Sequence, residues 1–348
     1  MRITLLAGGV GGARFTRGLR DHLARHGTPD GTSAEITVVV NTGDDMWLHG
    51  LRVCPDLDTV MYTLGGGIHE GQGWGRPDES RRVTDELHAY GLGWDWFTLG
   101  DLDLGTHVAR TAMLREGLPL STVTERLAAR WQPGVHLLPM SDQPCETHVE
   151  VDDASSPSGT RLIHFEEWWV RHRAALPARR FVQVGLDDAR PAPGVLDAIT
   201  RADLVLLPPS NPVVSVGTIL GVPGIHEAMT RTSASVVGVS PILGGAPVRG
   251  MADACLTTIG VETSAEAVAR HYGSRREPSP TRSETTGVLD GWLVDDTDES
   301  AVERLEDVGI TARALPLLMG DEPGADGRTA TGRMVDAAFG VAAARLTT

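Results

Sequence analysis

The stretch RITLLAGGVGGAR, residues 2–14, decides the fold class of this chain. It opens with a short apolar run typical of a buried strand and continues into a glycine loop, and residues 13–26 then place apolar side chains at helical spacing. A second apolar run, residues 35–40, ends in the acidic loop 41–45. This order is a β-α-β unit, which brings the loops that follow its strands to one edge of a parallel sheet.

Later segments extend this pattern. Residues 181–184, 204–207 and 235–239 are apolar runs typical of parallel strands. The turn-rich segment 152–159 lies between two alternating stretches and predicts a β-hairpin. The sequence therefore predicts an α/β fold with a Rossmann-like, doubly wound, mostly parallel sheet and a β-hairpin and helical insertion.

We expect one domain over residues 1–348. Its Rossmann-like core is predicted at about residues 1–130 and 175–300, with the hairpin insertion at about 140–172 and a C-terminal helix at about 333–346. No window of about 18 apolar residues and no secretory signal pattern occurs. We therefore expect a cytoplasmic protein with no membrane partner.

The composition excludes several kinds of chemistry. All 31 basic residues are arginines, so neither a lysine Schiff base nor the lysine of a P-loop is available. The formal net charge of −15 argues against a nucleic-acid partner, which needs a basic surface. Cys54, Cys145 and Cys255 are far apart and odd in number, so we expect buried, unpaired thiols.

Three groups of residues are candidates for chemistry. In the glycine loop, backbone N–H groups and Arg14 can approach a phosphate, although a merely tight turn is the alternative because the motif is not a regular G-x-G-x-x-G. A proline-flanked pair, Ser210 and Asn211, can hold a base or a phosphate, or simply form a turn. Six aspartates in loops and first helical turns suit Mg²⁺ beside a diphosphate, with helix capping as the alternative for Asp56 and Asp58. These six are Asp44, Asp45, Asp56, Asp58, Asp101 and Asp103.

Several motifs together resemble the 2-phospho-L-lactate transferase family of coenzyme F420 biosynthesis, in particular its actinobacterial branch. They are GGVGGARF, VVNTGDD, GLRVCPDLDTVMYTLGGG, WFTLGDLDLGTH, HFEEWWVR, PPSNPVVSVGTIL and SPILGG. The resemblance implies transfer of a phosphoenolpyruvyl or 2-phospho-L-lactyl group from a diphosphoguanosine donor to the ribityl hydroxyl of the deazaflavin FO, with release of GMP. It also implies Mg²⁺ as cofactor and a homodimer.

The resemblance assigns roles to residues of this chain. Asp58 and Thr98 match FO-binding positions, and Asp58 is the predicted catalytic base. Family members usually carry a longer or charged residue at Thr98, and an arginine at Leu102. The predicted nucleotide-binding residues are Gly8, Gly9, Gly11, Gly12, Arg14, Asn41, Ser210 and Asn211, and the predicted metal ligands are Asp44, Asp45, Asp101 and Asp103.

Two other functional classes compete with this interpretation. The gluconeogenesis-factor family shares a glycine-rich start and an NTGDD-like loop but regulates by binding nucleotide sugars without turnover. An NAD-linked dehydrogenase is disfavoured because the glycine motif is irregular and the second strand ends in an acidic loop.

Overall fold

The computed structural model describes residues 1–276 and 287–345. The strands in these residues are β1 (Arg2–Ala7), β2 (Glu35–Val40), β3 (Met46–Leu48), β4 (Leu51–Val53), β5 (His136–Pro139), β6 (Glu146–Asp152), β7 (Thr160–His164), β8 (Ala178–Val184), β9 (Leu204–Leu207), β10 (Ser235–Val239), β11 (Ile242–Leu243), β12 (Ala246–Pro247), β13 (Gly291–Val294) and β14 (Thr311–Ala314).

The α-helices of the same residues flank and connect these strands. They are α1 (Gly9–His26), α2 (Pro55–Leu64), α3 (Arg82–Ala89), α4 (Asp101–Arg115), α5 (Leu120–Trp131), α6 (Val195–Thr200), α7 (Gly217–Gly221), α8 (Ile225–Arg231), α9 (Ala252–Thr258), α10 (Ala265–Tyr272), α11 (Ala301–Glu306) and α12 (Ala330–Arg345). Short π-helical turns cover Glu167–Arg171 and Pro212–Val216.

Seven strands form a parallel sheet in the order β5-β2-β1-β9-β10-β13-β14. The chain runs outward from β1 through β2 to β5, and then returns to the other side of β1 with β9. The strand order therefore reverses between β1 and β9, as in a doubly wound fold. The predicted Rossmann-like α/β class is confirmed.

Apolar side chains cover both faces of this sheet, because the strand period of two sends neighbouring residues to opposite sides. Leu6 and Val205 pack in the cluster that includes the insertion, whereas Leu5 and Leu206 pack beneath α1, α2 and α12. The three cysteines are buried and unpaired, as predicted.

The insertion is a separate antiparallel sheet of order β7-β6-β8. Strands β6 and β7 form the predicted hairpin, with Asp152 opposite Thr160. The prediction of a parallel strand at residues 181–184 was wrong, because β8 pairs antiparallel with β6. Arg180 is exposed there whereas Phe181 packs against the core, which suits a sheet covered on one face only.

Three boundaries differ from the prediction. Strand β5 joins the main sheet beyond the predicted core segment 1–130, and β14 extends its far edge beyond residue 300. Helix α12 begins at Ala330, and residue 346 of the predicted helix lies outside the described residues.

Within residues 1–276 and 287–345, no single helix is long and apolar enough to cross a membrane. One pair, Pro212–Gly221 and Ile225–Arg231, meets that criterion only when taken together, and its two parts are bent by 88°.

Candidate active site

A cavity of about 200 Å³ opens beyond the carboxyl ends of β1, β9 and β10, next to the point where the strand order reverses. Ligands of open α/β sheets bind at such switch points. Of the predicted nucleotide-binding residues, six line this cavity and Gly12 and Asn41 do not. The six are Gly8, Gly9, Gly11, Arg14, Ser210 and Asn211.

Gly8 and Gly11 of the glycine loop have no room for side chains. A Cβ atom on Gly8 would lie 2.5 Å from Oδ2 of Asp56, and one on Gly11 would lie 2.3 Å from the carbonyl oxygen of Pro209. The 18-residue helix α1 begins at Gly9, so its unpaired N–H groups and positive dipole end lie at the cavity. This arrangement suits an anionic ligand such as a phosphate.

Ser210 and Asn211 build the wall facing the glycine loop. The Ser210 hydroxyl donates to the carbonyl of Gly8 at 2.8 Å and accepts from its N–H at 3.1 Å. The Asn211 Oδ1 atom accepts from the N–H groups of Val213 and Val214 at 2.9 and 3.2 Å. Both side chains therefore position the backbone of the cavity wall.

Three buried carboxylates, Asp44, Asp56 and Glu166, lie at this site. Asp44 and Asp56 line the cavity, and Glu166 follows Phe165, which also lines it. Asn41 donates from Nδ2 to Oδ2 of Asp56 at 2.9 Å, so its role is to orient that carboxylate. Oδ1 of Asp44 is buried and has no hydrogen-bond partner. Among the described residues, no arginine or histidine forms an ion pair with these three.

Burial and mutual repulsion raise the pKa values of these carboxyl groups. Burial, together with the charges of Asp56, Glu166 and Asp45, raises the pKa of Asp44 well above its ordinary value. Burial raises the pKa of Asp56 to about 6, while burial and the charge of Asp56 raise that of Glu166 to about 8. The site therefore carries excess negative charge that a bound cation would compensate.

This excess charge predicts a pH dependence of stability. Because the folded-state pKa values lie above the unfolded ones, the native state binds more protons between the ordinary carboxyl range and about 8. We expect the free energy of unfolding, measured with urea in the presence of EDTA, to fall as pH rises through this window. Glu166→Gln is expected to flatten the upper part of the curve. A curve that stays level or rises contradicts the repulsion.

A second cluster joins α2 and α4, and none of its residues lines the cavity. Arg110 donates to Oδ1 of Asp58, and the His107 ring lies between two carboxylates, with Nδ1 3.6 Å from Asp58 and Nε2 3.4 Å from Asp103. The Tyr62 hydroxyl donates to Asp103 at 2.8 Å. Ligand atoms of Asp58, Asp103 and His107 lie within 4.8 Å of one another. Arg110 already neutralises Asp58, which makes this cluster a buried charge network.

The four aspartates predicted as metal ligands do not form one site. Asp44 lies at the cavity, whereas its neighbour Asp45 lies 3.5 Å from Arg52. Asp103 belongs to the charge network. Asp101 is exposed and accepts from the N–H and hydroxyl groups of Ser80 at 3.0 and 2.8 Å. Three of these carboxylates, those of Asp45, Asp101 and Asp103, thus have structural hydrogen-bond or ion-pair partners and do not line the cavity.

The residues predicted to bind FO lie away from the cavity wall. Asp58 is buried in the charge network and does not line the cavity. Thr98 is exposed in the segment before α4, and Leu102 is 41% exposed near the start of that helix. Their roles stay predictions.

Two carboxylates at the cavity, Asp56 and Glu166, are not among the four predicted metal ligands. Asp56 belongs to the six aspartates that suit Mg²⁺, and its capping alternative finds no support because α2 has no side-chain capping bond. Glu166 lies in the HFEEWWVR motif, which gave no reason to choose it. Proximity to Asp44 is the property that distinguishes both residues, and only the folded chain displays it.

Comparison with known proteins identifies the family of this chain. A family model described as 2-phospho-L-lactate transferase CofD matches residues 3–314. The phosphoenolpyruvate transferase of Thermobifida fusca is 60% identical over 321 residues, which cover 92% of this chain and 93% of that protein. That of Streptomyces griseus is 59% identical over 321 residues, covering 92% and 94%. That of Mycolicibacterium smegmatis is 53% identical over 322 residues, covering 92% and 94%.

Solved structures show the same fold at much lower identity. Two structures of a Bacillus halodurans protein, one described as a member of the upf0052 family, align with TM-scores of 0.58 and 0.57 at 17% identity. They cover 97% of this chain and 99% and 98% of the other chains. This likeness concerns the fold alone.

These matches give no support to the nucleotide-sugar regulator considered above. The family match covers most of the chain, and the relatives that share more than half of its residues are named as transferases. The chain therefore belongs to the 2-phospho-L-lactate transferase family CofD and is a transferase.

Proposed function

We propose that this protein transfers a phosphoenolpyruvyl or 2-phospho-L-lactyl group from its diphosphoguanosine donor to the ribityl hydroxyl of FO. The hydroxyl oxygen forms a bond to the phosphorus that carries the acid, the bond from that phosphorus to GMP breaks, and the hydroxyl proton passes to a base. The observation that carries this proposal is the cavity at the switch point, where a glycine loop and a helix N-terminus meet buried carboxylates.

The carboxylates at this cavity fit Mg²⁺, the cofactor that the family resemblance implies. We assign Asp44 and Asp56 as its ligands, with Glu166 as a third carboxylate nearby, because hard divalent cations prefer oxygen ligands and these groups have no cationic side-chain partner among the described residues. When bound, Mg²⁺ supplies charge neutralisation for the donor diphosphate. This assignment keeps Asp44 from the predicted set and replaces Asp45, Asp101 and Asp103.

Backbone and side-chain groups of the protein bind the donor and align it with FO. The N–H groups at the start of α1, together with Arg14, bind the diphosphate, since the chain has no lysine for this purpose. Such a reaction requires mainly positioning and charge neutralisation, so no covalent protein nucleophile is needed. Phe165, Trp169 and Leu317 give part of the cavity an apolar lining, which suits a planar heterocycle.

Turnover with defined substrates tests this function. Purified protein is incubated with FO, Mg²⁺ and either the enolpyruvyl or the lactyl donor, and GMP and the deazaflavin phosphodiester are measured together. We expect both products in equal amounts, with no turnover in EDTA. Absence of product from either donor refutes the proposal, and a preference between the donors identifies the natural one. Light scattering on the same sample tests the homodimer that the family resemblance implies.

Asp58→Asn tests the predicted base. We expect turnover to fall tenfold or more, as is typical for loss of general-base catalysis. Because Asp58 also neutralises Arg110, the melting temperature of the variant is measured in parallel. Unchanged turnover would assign Asp58 to the charge network alone.

A further inference from the structure

A second arginine lines the cavity. Arg249 comes from the loop between β12 and α9, and its guanidinium donates to the carbonyl oxygen of Gln72. The same guanidinium lies 5.4 Å from the centroid of the Trp74 ring, which also lines the cavity and is 52% exposed. This contact joins the loop after α2 to the loop after β12, so Trp74 and the Gln72 carbonyl fix the position of Arg249.

Arg14 and Arg249 are cations without carboxylate partners. Arg14 donates to the carbonyl oxygen of Glu70 at 3.1 Å, and within the described part of the chain no carboxylate oxygen lies within 4.0 Å of either guanidinium. Arg17, one turn further along α1, differs because it pairs with Glu70 at 2.5 Å and Asp321 at 3.1 Å. In a chain of net charge −15, two unpaired arginines at one cavity indicate a place for an anion.

Electrostatics agrees with this geometry. Burial and the nearby charge of Arg14 both lower the pKa of Arg249. The two guanidinium groups therefore lie close enough to repel each other, and an anion bound by both would remove that repulsion. Guanidinium groups bind phosphate oxygens through paired hydrogen bonds. A phosphate is a stronger partner than a backbone carbonyl, because the carbonyl oxygen carries no formal charge.

We propose that Arg14 and Arg249 together bind the diphosphate of the nucleotide donor, and that Trp74 is a positioning residue for Arg249. This inference rests on the proposed function, because it identifies the part of the donor that the two side chains contact. On binding, Arg249 exchanges the Gln72 carbonyl for phosphate oxygens while its stacking on Trp74 persists. The guanidinium groups act beside the N–H groups of the glycine loop.

Calorimetric titration with GDP and GMP tests the two-arginine site without any turnover. Wild-type protein is expected to bind GDP more tightly than GMP, because only GDP presents the second phosphate. In Arg249→Ala and Arg14→Ala, GDP affinity is expected to fall at least tenfold and the preference for GDP to shrink. Arg126→Ala removes the same charge from the exposed face of α5 and is the matched control, which should bind as wild type does.

Variants of Trp74 test its positioning role. Trp74→Phe keeps an aromatic face and is expected to retain GDP affinity. Trp74→Leu is expected to lower GDP affinity several-fold and to leave GMP affinity nearly unchanged. In turnover assays, Arg249→Ala should raise the KM for the donor and leave the KM for FO unchanged.

Three outcomes would overturn this inference. They are equal binding of GDP and GMP by the wild type, unchanged GDP affinity in Arg249→Ala, and an equal loss of affinity for both nucleotides in that variant. Failure of the proposed function is a different result, in which GDP binds as described but neither donor yields product with FO.

Discussion

Replacing Asp44 with asparagine is expected to lower turnover about a hundredfold or more and to raise the melting temperature of the metal-free protein. Activity falls because a carboxylate that we assign to Mg²⁺ is lost. Stability rises because Asp44 is buried against the charges of Asp56, Glu166 and Asp45, and its Oδ1 atom has no hydrogen-bond partner. Removal of one charge relieves this repulsion, a trade of stability against function that is common at active sites.

The combination of lower turnover and a higher melting temperature makes the Asp44 experiment specific. Steady-state turnover and thermal unfolding are measured with Mg²⁺ and with EDTA, and Mg²⁺ should stabilise the wild type much more than Asp44→Asn. Asp85→Asn, on the exposed side of α3, is the matched control and should change neither quantity. A variant that loses both activity and stability would show that Asp44 has a structural role. Retained activity would remove it from the metal site.

Replacing Arg110 with methionine is expected to lower the free energy of unfolding by about 3–5 kcal/mol, the usual cost of breaking a buried ion pair. Arg110 is 2% exposed, donates to Asp58 and to the carbonyl of Arg52, and lies 3.1 Å from Nδ1 of His107. Methionine fills much of the same space but leaves the Asp58 carboxylate buried beside Asp103 without its guanidinium.

Urea unfolding distinguishes this charge effect from loss of packing. The double variant Arg110→Met with Asp58→Asn removes both charges, and we expect it to recover most of the lost stability. Arg115→Met, at the exposed end of the same helix, is the control and should cost little. If the double variant is no more stable than Arg110→Met, then packing rather than charge explains the loss.

The sequence was sufficient to predict the four central strands of the main sheet and the edge at which the cavity lies. Continuous apolar runs marked β1, β2, β9 and β10, and the loops after them had to meet at one edge because parallel strands share their direction. The same rule failed at β8, because the short run 181–184 does not specify the direction of its strand, and only its pairing with β6 shows that it is antiparallel.

Which carboxylates meet at the cavity could not be predicted from the sequence alone. Asp44 and Asp45 are adjacent, yet one lines the cavity and the other approaches Arg52, because consecutive side chains leave the backbone in different directions. Asp56 and Asp58 separate in the same way, toward the cavity and toward α4. Glu166 reaches the site from the insertion, and nothing in its local sequence specifies that approach.

The hydrogen bond from Ser210 to the carbonyl of Gly8 joins residues 202 positions apart. During synthesis, the glycine loop therefore leaves the ribosome long before the segment that completes the cavity exists. Contacts of such sequence separation form slowly, because a long loop of chain must close before they contribute stability. A nascent chain that ends before β9 can have α1 and its glycines in place but has no wall opposite them. The chain length at which nascent chains begin to bind nucleotide therefore reports when the second half of the sheet packs onto the first.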